Sequence, residues 1–125
     1  MPISYRIDPE RNLVLTTASG ILTDDDVLQH KAHLVQDPAF QPGMKELSDI
    51  RGIDRLEVTP AGVRAMVQQD ERDGARVASH QLALVLSKDV AYGMARMYQT
   101  LAESKMGSVG VFRDAAEAIA WLQSE

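Results

Sequence analysis

Ile3, Tyr5 and Ile7 alternate with Ser4 and Arg6, and this period of two predicts a strand. Asp8, Pro9, Glu10, Arg11 and Asn12 then supply turn residues, and Leu13 to Thr17 resume a β-rich run that Gly20 closes. The opening is therefore expected to be a β-hairpin. Next the period lengthens: Val27, Leu28, Leu34 and Val35 recur at helical spacing. Thr23 is placed to cap that helix, Asp24, Asp25 and Asp26 suit the positive end of its dipole, and Asp37-Pro38 stops it. Lys45 to Ile50 predicts a short strand. Thr59-Pro60 opens a second helix, striped by Val63, Met66 and Val67 and ended by Gly74. "QLALVLS" is apolar at every position from Leu82 to Leu86, as in a central strand of a mainly parallel sheet, buried on both faces. Ser87 is expected to cap a third helix that Gly107 stops. "SVGVF" predicts a fifth strand, and Asp114 with Glu117 a capping box for a last helix ending at Trp121 and Leu122.

The order β-β-α-β-α-β-α-β-α predicts an α/β fold. We expect one domain over residues 1–125, with a mixed sheet of about five strands, an N-terminal antiparallel hairpin, and helices packed on the sheet. Composition adds exclusions. A chain of 125 residues with 45% hydrophobic and 25% charged residues reads as an ordinary globular protein. The absence of cysteine removes disulfides, thiolate zinc sites and cysteine nucleophiles. "MPISYRIDPE" lacks the apolar run of a secretory signal, and no stretch approaches the roughly 20 apolar residues of a membrane span. A cytoplasmic location is the expectation. A net charge of −5 without a basic run argues against nucleic acid as a partner.

Asp26, His30, His33 and Asp37 share one stripe of the first helix, the closest approach to a metal-binding pattern. An exposed helix flank is normally polar and no other element supplies a ligand, so no metal is expected. "GSVG" at residues 107–110 follows a helix and precedes a strand, the reverse of a dinucleotide fingerprint. His80 has no serine in a nucleophile context, since Ser79, Ser87 and Ser104 read as loop or cap residues. In open α/β sheets ligands meet the loops beyond the carboxyl ends of strands. Here those loops carry Asp49, Arg51, Asp54, Arg55 and Thr59 beside one helix start, and Ser87, Lys88 and Asp89 beside the next. Asp49, Arg51, Thr59 and Ser87 are the candidate binding residues, against the plainer reading of Thr59 and Ser87 as caps.

The third helix, "AYGMARMYQTLAES", has two apolar stripes. Val90, Met94, Met97 and Leu101 form the first, predicted to cover the sheet; Ala91, Ala95, Tyr98 and Ala102 form the second. Together they span roughly 160°, more than the arc of about 100° that a core requires. The second stripe is then either covered by a neighbouring helix or meets its copy in a two-fold dimer anchored by Tyr98. Met94, Met97 and Tyr98 are thus candidates for a dimer or ligand face.

Three stretches carry a family resemblance: the hairpin ending in "ASGILTDDDV", "KELSDI" followed by a helix, and "VAYGMARMYQTLAES" leading into "VGVFRDAAEAIAWL". With them the chain resembles the stage II sporulation protein AA-like family, relatives of the STAS domain, over most of its length. It is also similar to the CRAL-TRIO lipid-carrier fold. The resemblance implies a compact α/β fold, no catalysis, no cofactor, and roles in binding or regulation. The sporulation proteins carry a phosphorylated serine within Asp-Ser-Ser-Gly at a helix start. The matching place here reads "EVTPAG", residues 57–62, where Thr59 alone offers a hydroxyl. The resemblance therefore extends to the helix start and not to the phosphorylation motif. The expected function is non-enzymatic binding through a protein partner or a homo-oligomer, with a carrier or sensor of a small apolar ligand as the alternative.

Overall fold

The computed structural model of the chain describes residues 2–124. Its elements are β1 (Ile3–Asp8), β2 (Leu13–Thr23), α1 (Asp24–Gln36), β3 (Lys45–Glu57), α2 (Pro60–Asp73), β4 (Gln81–Val85), α3 (Asp89–Ala102), β5 (Ser108–Phe112) and α4 (Ala115–Gln123). They form one five-stranded sheet in the order β1-β2-β3-β4-β5, in which β1 pairs antiparallel with β2 and the other pairs are parallel. This is the mixed α/β architecture that the periodicity predicts.

A strand order that never reverses has a consequence for the layers. Parallel crossovers are right-handed, so three successive ones in the same direction place α1, α2 and α3 on one face of the sheet. The alternation along β4 agrees: Leu82 packs with Val63, Met66 and Tyr98 of α2 and α3, while Ala83 and Val85 pack with Ala118 and Leu122 of α4. Among the described residues α4 alone covers the second face. Glu46 and Ser48 of β3 and Thr16 of β2 also point to the three-helix side, although each is polar and buried.

Two strands outrun their sequence signals. β2 passes Gly20 and β3 passes Ile50, and the two stay paired to Thr23↔Glu57 through register shifts at Thr17/Ser19 and Gly20/Ile21. Leu22 and Ile53 are buried along this extension, whereas Arg51, Asp54, Arg55 and Glu57 face solvent. The charges that suggested a loop are exposed positions of a strand.

Local caps behave as their chemistry requires in most cases. Thr23 and Asp26 form a full capping box on α1. Thr59 accepts the Gly62 N–H at 3.0 Å, and its own N–H and hydroxyl donate to Asp24 at 2.9 and 2.7 Å. Gly62 has no Cβ to overlap that Asp24 carboxylate, so the starts of α1 and α2 are stapled together. Thr59→Ala is expected to cost about 1 kcal/mol, read as a shift of the urea midpoint; an unshifted midpoint would remove the cap from this account. Two expected caps differ. Lys88 rather than Ser87 holds the N-cap of α3, without a side-chain hydrogen bond, and Ser87 instead offers its carbonyl to Arg113. Asp114 caps α4 by accepting the Ala116 N–H, and Glu117 makes no return bond.

The stripes of α3 are exchanged relative to expectation. Ala91, Ala95, Tyr98 and Ala102 are buried, while Val90 is 68% and Leu101 is 40% exposed. The alanines let α3 settle closely on the sheet and α2, and the Tyr98 hydroxyl finds its partner Asp70 on α2. Tyr98 therefore belongs to the core of its own subunit. It does not sit at a margin open to a second copy.

Candidate functional site

Between the sheet and α1, α2 and α3 lies a cavity of about 120 Å3, walled mostly by apolar side chains. Two buried polar clusters border it, one at Glu46 and one at Asp70. Both are built from residues far apart in sequence.

Glu46 is 4% exposed on β3. Its carboxylate accepts from Thr16 Oγ1 at 2.6 Å, His30 Nε2 at 3.1 Å and His80 Nε2 at 3.0 Å. The other ring nitrogen of His80, Nδ1, lies 2.7 Å from the Met44 carbonyl. The ring of His80 is thus held between two acceptors, the Met44 carbonyl on one side and the Glu46 carboxylate on the other. Burial by itself would push the Glu46 carboxyl up, but the hydrogen bonds and charges of His30 and His80 hold it well below the usual carboxylate range. Rings pack edge-on around the cluster, Tyr5 on His30 and Phe40 on His80. Gly107, expected as the stop of α3, serves here instead. Helix α3 ends at Ala102, and a Cβ at Gly107 would overlap the His80 backbone, whose carbonyl accepts the Ser108 N–H. Only glycine lets β5 begin this close to the histidine.

The second cluster centres on Asp70, which is 0% exposed on α2. Lys31 Nζ lies 2.7 Å from Asp70 Oδ1 and donates to the Tyr98 hydroxyl at 3.0 Å; that hydroxyl donates in turn to Asp70 Oδ2. Burial opposes the charged form of Lys31, yet the Coulombic pull of Tyr98 and Asp70, with their hydrogen bonds, raises it above its ordinary value. Burial, reinforced by Asp70, also pushes the Tyr98 phenol up. Asp73, one turn further along α2, lines the cavity as well, and its Oδ2 is buried with no hydrogen-bond partner.

The residues singled out from the sequence are distributed differently. Met94 and Tyr98 line the cavity, and Met97 packs against the adjoining core without reaching it. Asp49 and Arg51 stand on the strand β3 rather than in a loop and bind each other bidentately, at 2.9 Å in both contacts. Thr59 and Ser87 are exposed at the starts of α2 and α3, away from the cavity lining. The stripe of α1 is divided among separate partners. Asp26 closes the capping box, His30 turns in to Glu46, His33 is exposed, and Asp37 accepts from Tyr5 at 2.8 Å. Among the described residues no group of three or more His, Cys, Asp or Glu is arranged to hold a metal ion.

Thr16, Glu46, Ser48, His80, Lys31 and Asp70 border the cavity without having been singled out as site residues. A signal existed for two of them. Asp70 continues the stripe of Val63 and Met66, and Lys31 lies on that of Val27 and Leu34, so each is a charge on an apolar helix face. Such placement marks a buried pair, though neither residue names its partner.

No helix among the described residues is long and apolar enough to cross a membrane. No protein-family model and no curated protein matches the sequence. Among solved structures the chain is similar to an uncharacterized protein of the DUF3478 family with a SpoIIAA-like fold from Shewanella loihica PV-4. The two are 18% identical with a TM-score of 0.61, over 96% of this chain and 93% of that one. That likeness, together with the sheet order and the three-helix face, gives this chain a SpoIIAA-like α/β fold.

Proposed function

We propose that the chain is a non-enzymatic cytoplasmic binding domain, a carrier or sensor of a small, largely apolar molecule held between the sheet and its three helices. The cavity of about 120 Å3 carries this reading. Natural cores hold few voids larger than a water molecule, and an apolar cavity of roughly 150 Å3 accepts a benzene ring. Met94 in the wall adds a side chain that adapts to shape. Binding is favoured over catalysis because the two buried polar clusters are closed sets. Glu46 has three donors, and Lys31, Asp70 and Tyr98 close on themselves.

Toluene tests the reading. At ten times its Kd it is expected to stabilise the protein by about 1.4 kcal/mol, seen as a rise in Tm. Ala95→Leu, which places a larger side chain into the cavity wall, should abolish that rise. It should itself cost less than the roughly 1–3 kcal/mol that overpacking a filled core exacts. A wild-type Tm indifferent to toluene would refute the proposal.

Action through a protein partner or a second copy is the other reading, favoured by the exposed Val90 and Leu101 on α3. A dimeric mass in sedimentation would support it.

A further inference from the structure

The charges around the cavity are matched before any ligand arrives. Lys31 faces Asp70, and His80 faces Glu46. A third carboxyl, Asp73, borders the same space, and burial, with the negative charge of Asp70 adding and Lys31 opposing, pushes it up. Three carboxyl groups thus border the cavity, two of them already engaged by Lys31 and by the imidazoles of His30 and His80, and the third acted on by Lys31, Arg72 and Arg76. An anionic head group would enter without an unmatched cation to receive it, and an unpaired buried charge is costly.

Ser48 stands apart from these pairs. It is 7% exposed, lines the cavity, and makes no side-chain hydrogen bond among the described residues. It follows Glu46 by two residues on β3 and is the Cα partner of Thr16 across the strand pair, so its hydroxyl stands on the cavity floor beside the Glu46 cluster. This hydroxyl can both donate and accept, so a hydroxyl or carbonyl of a ligand in the cavity can pair with it.

Resting on the binding reading above, we propose that Ser48 anchors an uncharged ligand with one hydroxyl or carbonyl group on an apolar body the size of a single ring. The ligand's polar group pairs with the Ser48 hydroxyl, and its body lies among the apolar side chains of the wall. Molecules whose only polar group is a carboxylate are excluded by the cluster of acids.

Calorimetric titration of phenol, benzoate and toluene at neutral pH, into wild type and Ser48→Ala, tests this. Phenol is expected to bind wild type about tenfold or more tighter than benzoate, because benzoate brings an unpaired charge. In Ser48→Ala phenol should weaken by up to about tenfold while toluene is unchanged, the loss of one hydrogen bond. Benzoate binding as tightly as phenol, or phenol affinity unchanged in Ser48→Ala, overturns the anchor and leaves the binding reading standing. Failure of all three probes to bind overturns both. The ranking of phenol over benzoate needs no variant and tests the exclusion of carboxylates; if Ser48→Ala does not fold, Ser48→Cys, which keeps the size and weakens the hydrogen bond, tests the anchor by the same loss of phenol affinity.

Discussion

Glu46→Leu is expected to destabilise the folded protein by about 3–5 kcal/mol, a large share of the roughly 5–15 kcal/mol available to a domain. The loss follows from what the substitution leaves behind. Thr16, His30 and His80 each stand within hydrogen-bond distance of the Glu46 carboxylate, and the other ring nitrogen of His80 is already turned to the Met44 carbonyl. With leucine in place, a buried hydroxyl and two imidazoles lose their common acceptor. Urea unfolding of the two proteins measures the difference, and a loss under about 1 kcal/mol would show that the cluster does not hold the fold as described here. The same residue sets an acid limit. The folded carboxyl lies well below its ordinary 4.5, so Glu46 contributes stability at pH above that value and loses it as pH falls through the lower, folded pKa. Glu46→Gln should lack this component, and its stability should fall less between neutral and acid pH.

Asp70→Leu is expected to cost about 3–5 kcal/mol, and Lys31→Met with Asp70→Leu to recover most of that loss. In the single variant the Lys31 ammonium keeps the Tyr98 hydroxyl but loses the Asp70 carboxylate 2.7 Å away. The double variant removes both charges and fills their space with apolar side chains, an exchange that is often neutral or stabilising. The double-mutant cycle reads the coupling directly. A double variant as unstable as Asp70→Leu alone would mean that Asp70 acts mainly through Tyr98, by its hydroxyl bond, rather than through Lys31. Because the Lys31 pKa is raised, its contribution is complete below its ordinary value near 10.5 and is lost as pH rises through the folded value. Alkaline titration should therefore unfold wild type sooner than the double variant.

The architecture was legible in the chain because its signals are local. The period of two in β1, the unbroken apolar run of β4, the Thr23 and Thr59 caps and the Gly74 stop each act within a few residues of themselves. Once the elements alternate, the handedness of crossovers leaves little freedom in the sheet. Where local signals competed, the reading failed. Arg51, Asp54 and Arg55 looked like loop charges because a half-exposed strand and a loop share that composition, and only pairing with β2 extends β3 to Glu57.

The cavity and its polar clusters belong to the other category. His80 reaches Glu46 across 34 positions, Tyr98 reaches Asp70 across 28, and Lys31 reaches Tyr98 across 67. A lone histidine, lysine or aspartate in sequence is ordinary surface chemistry; each becomes a buried ion only when the fold delivers its counter-charge and removes water. The choice of stripe on α3 has the same cause. Both stripes are apolar enough to face the sheet, and Asp70 on α2, which holds the Tyr98 hydroxyl, favours the smaller one. From its sequence alone this chain determined the order of its elements, the Thr23 and Thr59 caps and the mixed α/β sheet, because periodicity and capping act within one or two turns. Which face of α3 turns inward, which charges are buried and where space remains between the layers were decided only by tertiary packing, because those free energies exist only between groups that the folded chain brings together.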